Sequence, residues 1–278
     1  MILNNKTVII TGGSDGIGAA AARLFAEAGA NLVLVARGKK KLEAIADDLR
    51  DKTRVEIFPM DVADADACVD VFKKAHFEFG SVDILVNNAG HHARGLVEAV
   101  TVDELARMVD VNLRAPMMLS RIALPYLREA GEGAIINVGS LAGRVIYPGA
   151  SSYSATKAGL RLFTLGLAEE LRGSGIKVAL VSPGPVSTGF IMDDMDKVSD
   201  ITFSQPMTSA TDVAQAVLDL CGNTIQDQAL PKITGVLTTV IGLMPWLGRA
   251  LRPSLERKGQ RVKKQLKAKS RAATDKEQ

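Results

Sequence analysis

Aromatic residues are scarce in this chain: eight Phe, three Tyr and one Trp make up 4% of 278 residues. Ala, Val, Leu and Ile must fill the core instead, which suits helices packed on both faces of a buried parallel sheet. Cysteine is scarcer still. Cys68 and Cys221 lie far apart, in neither a metal-ligand nor a redox spacing. That excludes a disulfide framework and points to buried thiols of an intracellular protein. There are three histidines, and no His/Cys/acid cluster is spaced for a metal, so no metal is expected. Met1 to Lys6 runs directly into a strand, without a basic segment leading to an apolar stretch or a cleavage site, and a cytoplasmic location is the expectation.

Charge is short of one sign in one place only. From Arg249 to Arg271 there are ten Lys/Arg against a single acid, Glu256, whereas the whole chain has a net charge of +3, so the remainder is acidic. The basic character belongs to the tail, and the body shows no nucleic-acid surface. The length fits one open α/β sheet without a second core. We read residues 1–258 as one domain, with an apolar or amphipathic extension over 233–258, and 259–278 as a basic, disordered tail.

Thr7-Val8-Ile9-Ile10 is β-rich and ends in Thr11-Gly12-Gly13-Ser14-Asp15-Gly16-Ile17-Gly18, followed by an Ala-rich helix, Ala19 to Ala28. A strand, a glycine turn and a helix N-terminus make an anion site, because free N–H groups and the helix dipole face a pyrophosphate that glycines allow to approach. The second strand, Asn31 to Ala36, ends where an adenosine ribose would lie. There the chain offers Arg37, then Lys39, Lys40 and Lys41, in place of an acid. A guanidinium can clamp a 2′-phosphate that a carboxylate would repel, so the cofactor is read as NADP(H). Lys40 and Lys41 read as solvated charges opening the next helix. After a third strand, Arg54 to Met60, Asp61 and Val62 stand beside the adenine, and Asp61 is equally open to reading as a helix N-cap. Asn87-Asn88-Ala89-Gly90 closes the next strand with small residues and amides suited to close cofactor approach and to cross-bracing the sheet.

Tyr153 and Lys157 sit four apart in a run whose Leu160, Phe163, Leu167 and Leu171 recur at helical spacing, so phenol and ammonium share a face. A neighbouring cation favours phenolate, which would make Tyr153 a usable acid or base near neutrality.

These pieces, with Asn112 in Val111-Asn112-Leu113, Ser140 after the strand Ala134 to Val138, and Pro183-Gly184, occur in the order and approximate spacing of the short-chain dehydrogenase/reductase family. The resemblance covers about residues 5 to 220. It implies a Rossmann fold: a doubly wound, seven-stranded parallel sheet flanked by helices, binding a nicotinamide cofactor. It also implies roles. Tyr153 is the general acid or base, Lys157 lowers its pKa and holds the nicotinamide ribose, and Ser140 bonds the substrate oxygen. Asn112 anchors a water that relays protons, and Val186 and Thr188 lie along the carboxamide. A homodimer through the helices bearing Asn112 and Tyr153 follows from the same resemblance. His91 and His92 are given no role.

Between Gly189 and Thr208 the chain lacks periodicity yet carries Phe190, Ile191, Met192, Met195, Phe203 and Met207, which fits a lid over a hydrophobic substrate; Val145, Ile146 and Tyr147 form the opposite wall. An apolar carbonyl compound is therefore the expected substrate, with 3-oxoacyl-carrier-protein and sphingoid-base ketone reductases as similar enzymes. The alternative of another class is a non-catalytic NADP(H) sensor. The C-terminus departs from the family: where many members have an Asp-Gly-Gly turn that builds a tetramer, Ile233 to Leu247 is apolar and leads into the basic tail. The tetramer and the carrier-protein substrate are thereby in doubt. That run is too short to cross a bilayer. It suits either a peripheral membrane contact or a helix covering the pocket.

Overall fold

A computed structural model describes residues 1–277, with side chains as far as residue 268. The predicted β-rich runs become β1 (Thr7–Thr11), β2 (Asn31–Ala36), β3 (Val55–Pro59), β4 (Ile84–Asn87) and β5 (Gly133–Val138), and β6 (Ile176–Pro183) and β7 (Asp227–Leu230) complete the set. They form one parallel sheet in the order β3-β2-β1-β4-β5-β6-β7, the doubly wound Rossmann arrangement. β1 pairs with both β2 and β4, so the chain reverses its direction of travel across the sheet between these strands. The crevice at that switch point, beyond the carboxyl ends of the strands, is where such sheets take ligands.

Helices α1 (Gly16–Glu27), α2 (Lys39–Asp47), α3 (Ala65–Phe79), α4 (Val102–Val109), α5 (Ala115–Glu129) and α6 (Ser151–Glu170) cover both faces of the sheet, with α8 (Ala210–Leu220). Each face has its own core. Val8, Ile10, Phe25, Leu32 and Leu34 pack on one side with Val213 and Val217 of α8. Ile9, Val33, Leu85, Phe72, Leu119 and Leu167 pack on the other. The alternation within β1 follows from the two-residue period of a strand, and because both faces are covered all five of its residues are buried, Val8, Ile9 and Ile10 forming its apolar centre. Between α4 and α5 the helix widens into a π turn, Asp110–Arg114, that carries Asn112.

The end of the chain differs from the sequence-based expectation. After α7 (Gly189–Met192), a 3₁₀ turn (Asp200–Ser204) and α9 (Lys232–Leu243), a last helix α10 runs Pro245–Glu277, with no break at 259. Gly259 is buried: a Cβ there would stand 1.8 Å from the Asp200 carbonyl oxygen, so α10 lies directly on the 3₁₀ turn. Val262 and Leu266 pack against Ile191, Met195, Val198 and Phe203 in a third, small apolar cluster. Lys263 donates to Val198 O at 2.8 Å and pairs with Asp200 at 3.1 Å, and Lys267 pairs with Asp196. The expected disordered tail is thus corrected for 259–268: an apolar stripe and two paired lysines give these residues contacts that their charge count hides. Residue 278 and the side chains from 269 lie outside the described residues.

Candidate active site

The glycine turn after β1 begins with Gly12 at φ +66° and ends in α1, capped by Asp15, whose carboxylate accepts from Gly16 N at 2.7 Å. A Cβ on Gly18 would fall 2.1 Å from Gly12 O and 2.6 Å from Asn88 Nδ2; only glycine lets the helix begin this close to the turn. Thr11 Oγ1 accepts from Asn88 N and Ala89 N, each at 3.0 Å, while Asn88 Nδ2 donates to Thr11 O at 2.9 Å and Gly12 O at 3.2 Å. The ends of β1 and β4 are thereby clasped. Deeper in, Asn87 Nδ2 donates to Asn137 Oδ1 at 2.8 Å, and Asn137 Nδ2 to Thr164 Oγ1 at 2.8 Å, bracing β4, β5 and α6.

The turn opens into a cleft of about 730 Å³. Ser14, Asp15, Gly16, Ile17, Arg37, Asp61, Val62, Gly90, Ser140, Tyr153, Lys157, Pro183, Gly184, Val186 and Thr188 line it together with Gly12, Asn88 and Ala89. Two expected residues do not. Gly18 lies behind the turn, and Asn112 is fully buried. The Asn112 amide accepts from His91 N at 2.8 Å and donates to His91 O at 2.7 Å and Thr156 Oγ1 at 3.2 Å, so it holds the 91 segment against α6.

Three finer readings change. Lys41 is not merely a solvated charge: it reaches Asp15 at 3.0 Å, lines the cleft, and holds that carboxyl below the usual range. Asp61 is not the N-cap of α3, a role taken by Asp64. Burial opposes ionisation of Asp61, yet Ala63 N–H and Arg107 outweigh it, so its carboxyl is held low. Of the six residues read as a lid, two line the cleft. Phe190 and Ile191 face the cleft with Val145 and Tyr147, while Met195 and Phe203 turn to α10 and Ile146 points into solvent.

Around Tyr153 the structure supplies what the sequence did not. The His92 ring stacks on the Tyr153 ring with centroids 4.1 Å apart at 15°. Arg94 donates to His92 Nδ1 at 3.0 Å and to Phe190 O, with its guanidinium 5.4 Å from the Phe190 ring centre. Since a guanidinium only donates, His92 accepts at Nδ1 and carries its proton on Nε2. Burial, then the charge of Arg94, pushes the His92 pKa down to about 3, which keeps it neutral. His92 Nε2 and Arg94 Nε are buried without a hydrogen-bond partner among the described residues.

Burial raises the Tyr153 phenol above its ordinary value, against the Ser140 hydroxyl bonded to it and the nearby Arg94 charge, which lower it. Lys157 lies beside the same ring. Its ammonium is buried, donates to Val138 O at 2.8 Å and stands 5.9 Å from the Tyr153 ring centre, and burial pulls its own pKa down to about 8. Shared helix face put the two side chains together, as expected, and the ammonium also donates to a neighbouring carbonyl. Arg94 carried no periodic or motif signal in the sequence. Among the described residues no group of three or more His, Cys, Asp or Glu is placed to hold a metal ion.

Strand order, glycine turn, and the tyrosine, lysine and serine at the cleft coincide with a match to the short chain dehydrogenase family over residues 6–198, and the chain belongs to that family. It is an oxidoreductase of this type. An uncharacterized oxidoreductase of Staphylococcus aureus (strain USA300) is 37% identical over 187 residues, 67% of this chain and 80% of that protein. One of Staphylococcus saprophyticus is 38% identical over 203 residues, 72% and 82% of the two chains. Among solved structures, a short chain dehydrogenase from Burkholderia cenocepacia J2315 in complex with NADP superposes with a TM-score of 0.75 at 32% identity, covering 82% of this chain and 97% of that one.

Proposed function

We propose that the protein uses NADPH to reduce a carbonyl group on a hydrophobic small molecule, or runs the reverse oxidation of a secondary alcohol. The observation that carries this reading is the placement of Tyr153 and Ser140 in the same cleft as the glycine turn and Arg37. The cleft fits the cofactor. The turn and the N-terminus of α1 suit a pyrophosphate, and Lys41 already offsets the charge of Asp15 beside it. Arg37 is exposed and has no ion-pair partner among the described residues, as a 2′-phosphate clamp requires. The NADP complex of the Burkholderia relative supports the same choice.

When bound, the cofactor supplies the hydride. Negative charge then builds on the substrate oxygen, and two hydroxyl donors aimed at that oxygen stabilise the transition state more than the ground state. Tyr153 gives up its proton there, and Ser140, N-cap of the 3₁₀ turn Leu141–Arg144, holds the oxygen. The raised phenol pKa keeps Tyr153 protonated at neutral pH, which suits it as an acid in the reducing direction. Lys157 would hold the ribose, and Asn112 acts through the His91 backbone and Thr156. Leu141, Val145, Phe190 and Ile191 give the cleft an apolar wall for the body of the substrate. A homodimer is supported by Val109, Met117 and Leu162, apolar side chains 46, 42 and 61% exposed on the helical layer that bears Asn112 and Tyr153.

The test is turnover of NADPH with a panel of apolar ketones, followed at the reduced-nicotinamide absorbance. Tyr153→Phe should lose about 1000-fold in rate and keep its affinity for NADPH. Equal turnover by both proteins, or none by the wild type with any ketone, would overturn the reading.

A further inference from the structure

Helix α9 is folded inside out. Its buried face consists of Thr234, Gly235, Thr238 and Ile241; Thr238 lines the cleft, and Thr239 accepts a 3.4 Å hydrogen bond from Arg144. Its outer face carries Ile233, Val236 and Leu243, which are 85, 66 and 80% exposed, with Leu237 and Val240 also exposed between them. Met244 and Trp246 continue this surface across the joint to α10 and are 41 and 56% exposed. A solvated helix selects the opposite sidedness, polar outward and apolar inward. A contiguous apolar surface of this kind marks a contact with something outside the chain.

Charge indicates what the partner is. From Lys232 to Ala268 there are nine Lys/Arg and one acid, Glu256, and that acid is paired with Arg252. Lys263 is turned inward and Lys267 is paired with Asp196, but Arg249, Arg257, Lys258, Arg261 and Lys264 are exposed. A second copy set on this face would bring like charges together, which costs affinity. A bilayer with anionic headgroups offers an apolar interior for Ile233, Val236 and Leu243, an interface for Trp246, and negative charge for the cations. No described helix is long and apolar enough to cross a membrane, so the contact lies in the interface.

We propose that the outer face of α9, the Met244–Trp246 joint and the exposed cations after it dock on an anionic lipid surface. Because α9 also walls the cleft through Thr238, docking places the cleft about one helix diameter, ~10 Å, from the lipid. An apolar substrate can then enter from the bilayer. That last step rests on the carbonyl-reductase reading above, and the docking does not.

Flotation of the full chain with vesicles of equal parts phosphatidylglycerol and phosphatidylcholine, against phosphatidylcholine alone, tests the proposal. Partition should be at least about tenfold stronger on the anionic vesicles, and should weaken with added salt. The combined variant Ile233→Glu, Val236→Glu, Leu243→Glu should lose flotation while keeping its melting temperature and NADPH affinity, since the three side chains are exposed. Absence of flotation, or equal flotation of wild type and variant, overturns the docking. So does a wild type that light scattering shows to be a larger oligomer than the variant, because a second copy then covers the face. A chain that floats but neither binds NADPH nor reduces a ketone overturns only the functional reading.

Discussion

Helices α1 and α9 are each 12 residues long and each contributes to the wall of the cleft, yet they are built on opposite plans. α1 buries Gly18, Ala19, Ala21, Ala22, Phe25 and Ala26 and is fastened to one of the two main cores. α9 buries two threonines, a glycine and Ile241, with β7 and the Leu141–Arg144 turn beneath it, and leaves Ile233, Val236, Leu237, Val240 and Leu243 outside. The first is held by the hydrophobic effect, the second chiefly by the close approach of Gly235 to Ala229 and of Gly242 to the Arg144 carbonyl, with one hydrogen bond from Arg144 to Thr239. The difference teaches that burial of apolar area and closeness to the cleft are separate requirements. At the start of the chain one helix meets both; at its end, the apolar area faces away.

Substitutions at the two ends should therefore fail in different ways. The largest effect is expected at Gly18→Val, where the new Cβ meets backbone that cannot yield. A loss of about 3 kcal/mol in stability is expected together with loss of NADPH binding, read by thermal melting and nucleotide fluorescence. Arg37→Asp should leave the melt unchanged but weaken NADPH about 100-fold, with little change for NADH; equal losses for the two nucleotides would remove the 2′-phosphate role. Gly259→Leu belongs to the other end. It should force α10 off the Asp200–Ser204 turn and cost about 1–2 kcal/mol, while NADPH affinity stays as in the wild type. If that variant also lost the nucleotide, the two ends would not be separable. The smallest effect concerns Arg94→Met. In alcohol oxidation the phenolate is the working form, so the rate rises with pH through the phenol pKa. Arg94 lowers that pKa, and its removal should move the rising limb to higher pH. A limb that stayed in place or moved down would take Arg94 out of the environment of Tyr153.

Most of the sheet and the cofactor end of the cleft were legible because they depend on local rules. A β-rich run before a glycine turn, amides at the end of β4, and phenol and ammonium four apart on a helix all follow from spacing. What lay outside that reach was set by packing between distant segments. Arg94 meets Phe190 across 96 positions, and nothing near His91-His92 signals it. Lys157 was read as the partner of Tyr153, and only the fold shows that its ammonium also donates a hydrogen bond to Val138 O. The tail is a different case, since its signal was present and outweighed. Gly259, Val262 and Leu266 stand three and four apart, a helical stripe, but a segment so dense in Lys and Arg reads as solvated unless the acids that receive them, Asp196 and Asp200, are known to lie opposite.

The widened turn between α4 and α5 has a geometric consequence. A π turn holds one residue more than an α turn, so the two helices are phased about 100° apart from where an uninterrupted spiral would set them. Asn112 sits inside that offset. Deleting any one residue from 110 to 114 would restore an ordinary spiral and swing everything on one side of it around the axis, tearing the amide from the backbone of His91. Length, at this point of the chain, is as constrained as residue type.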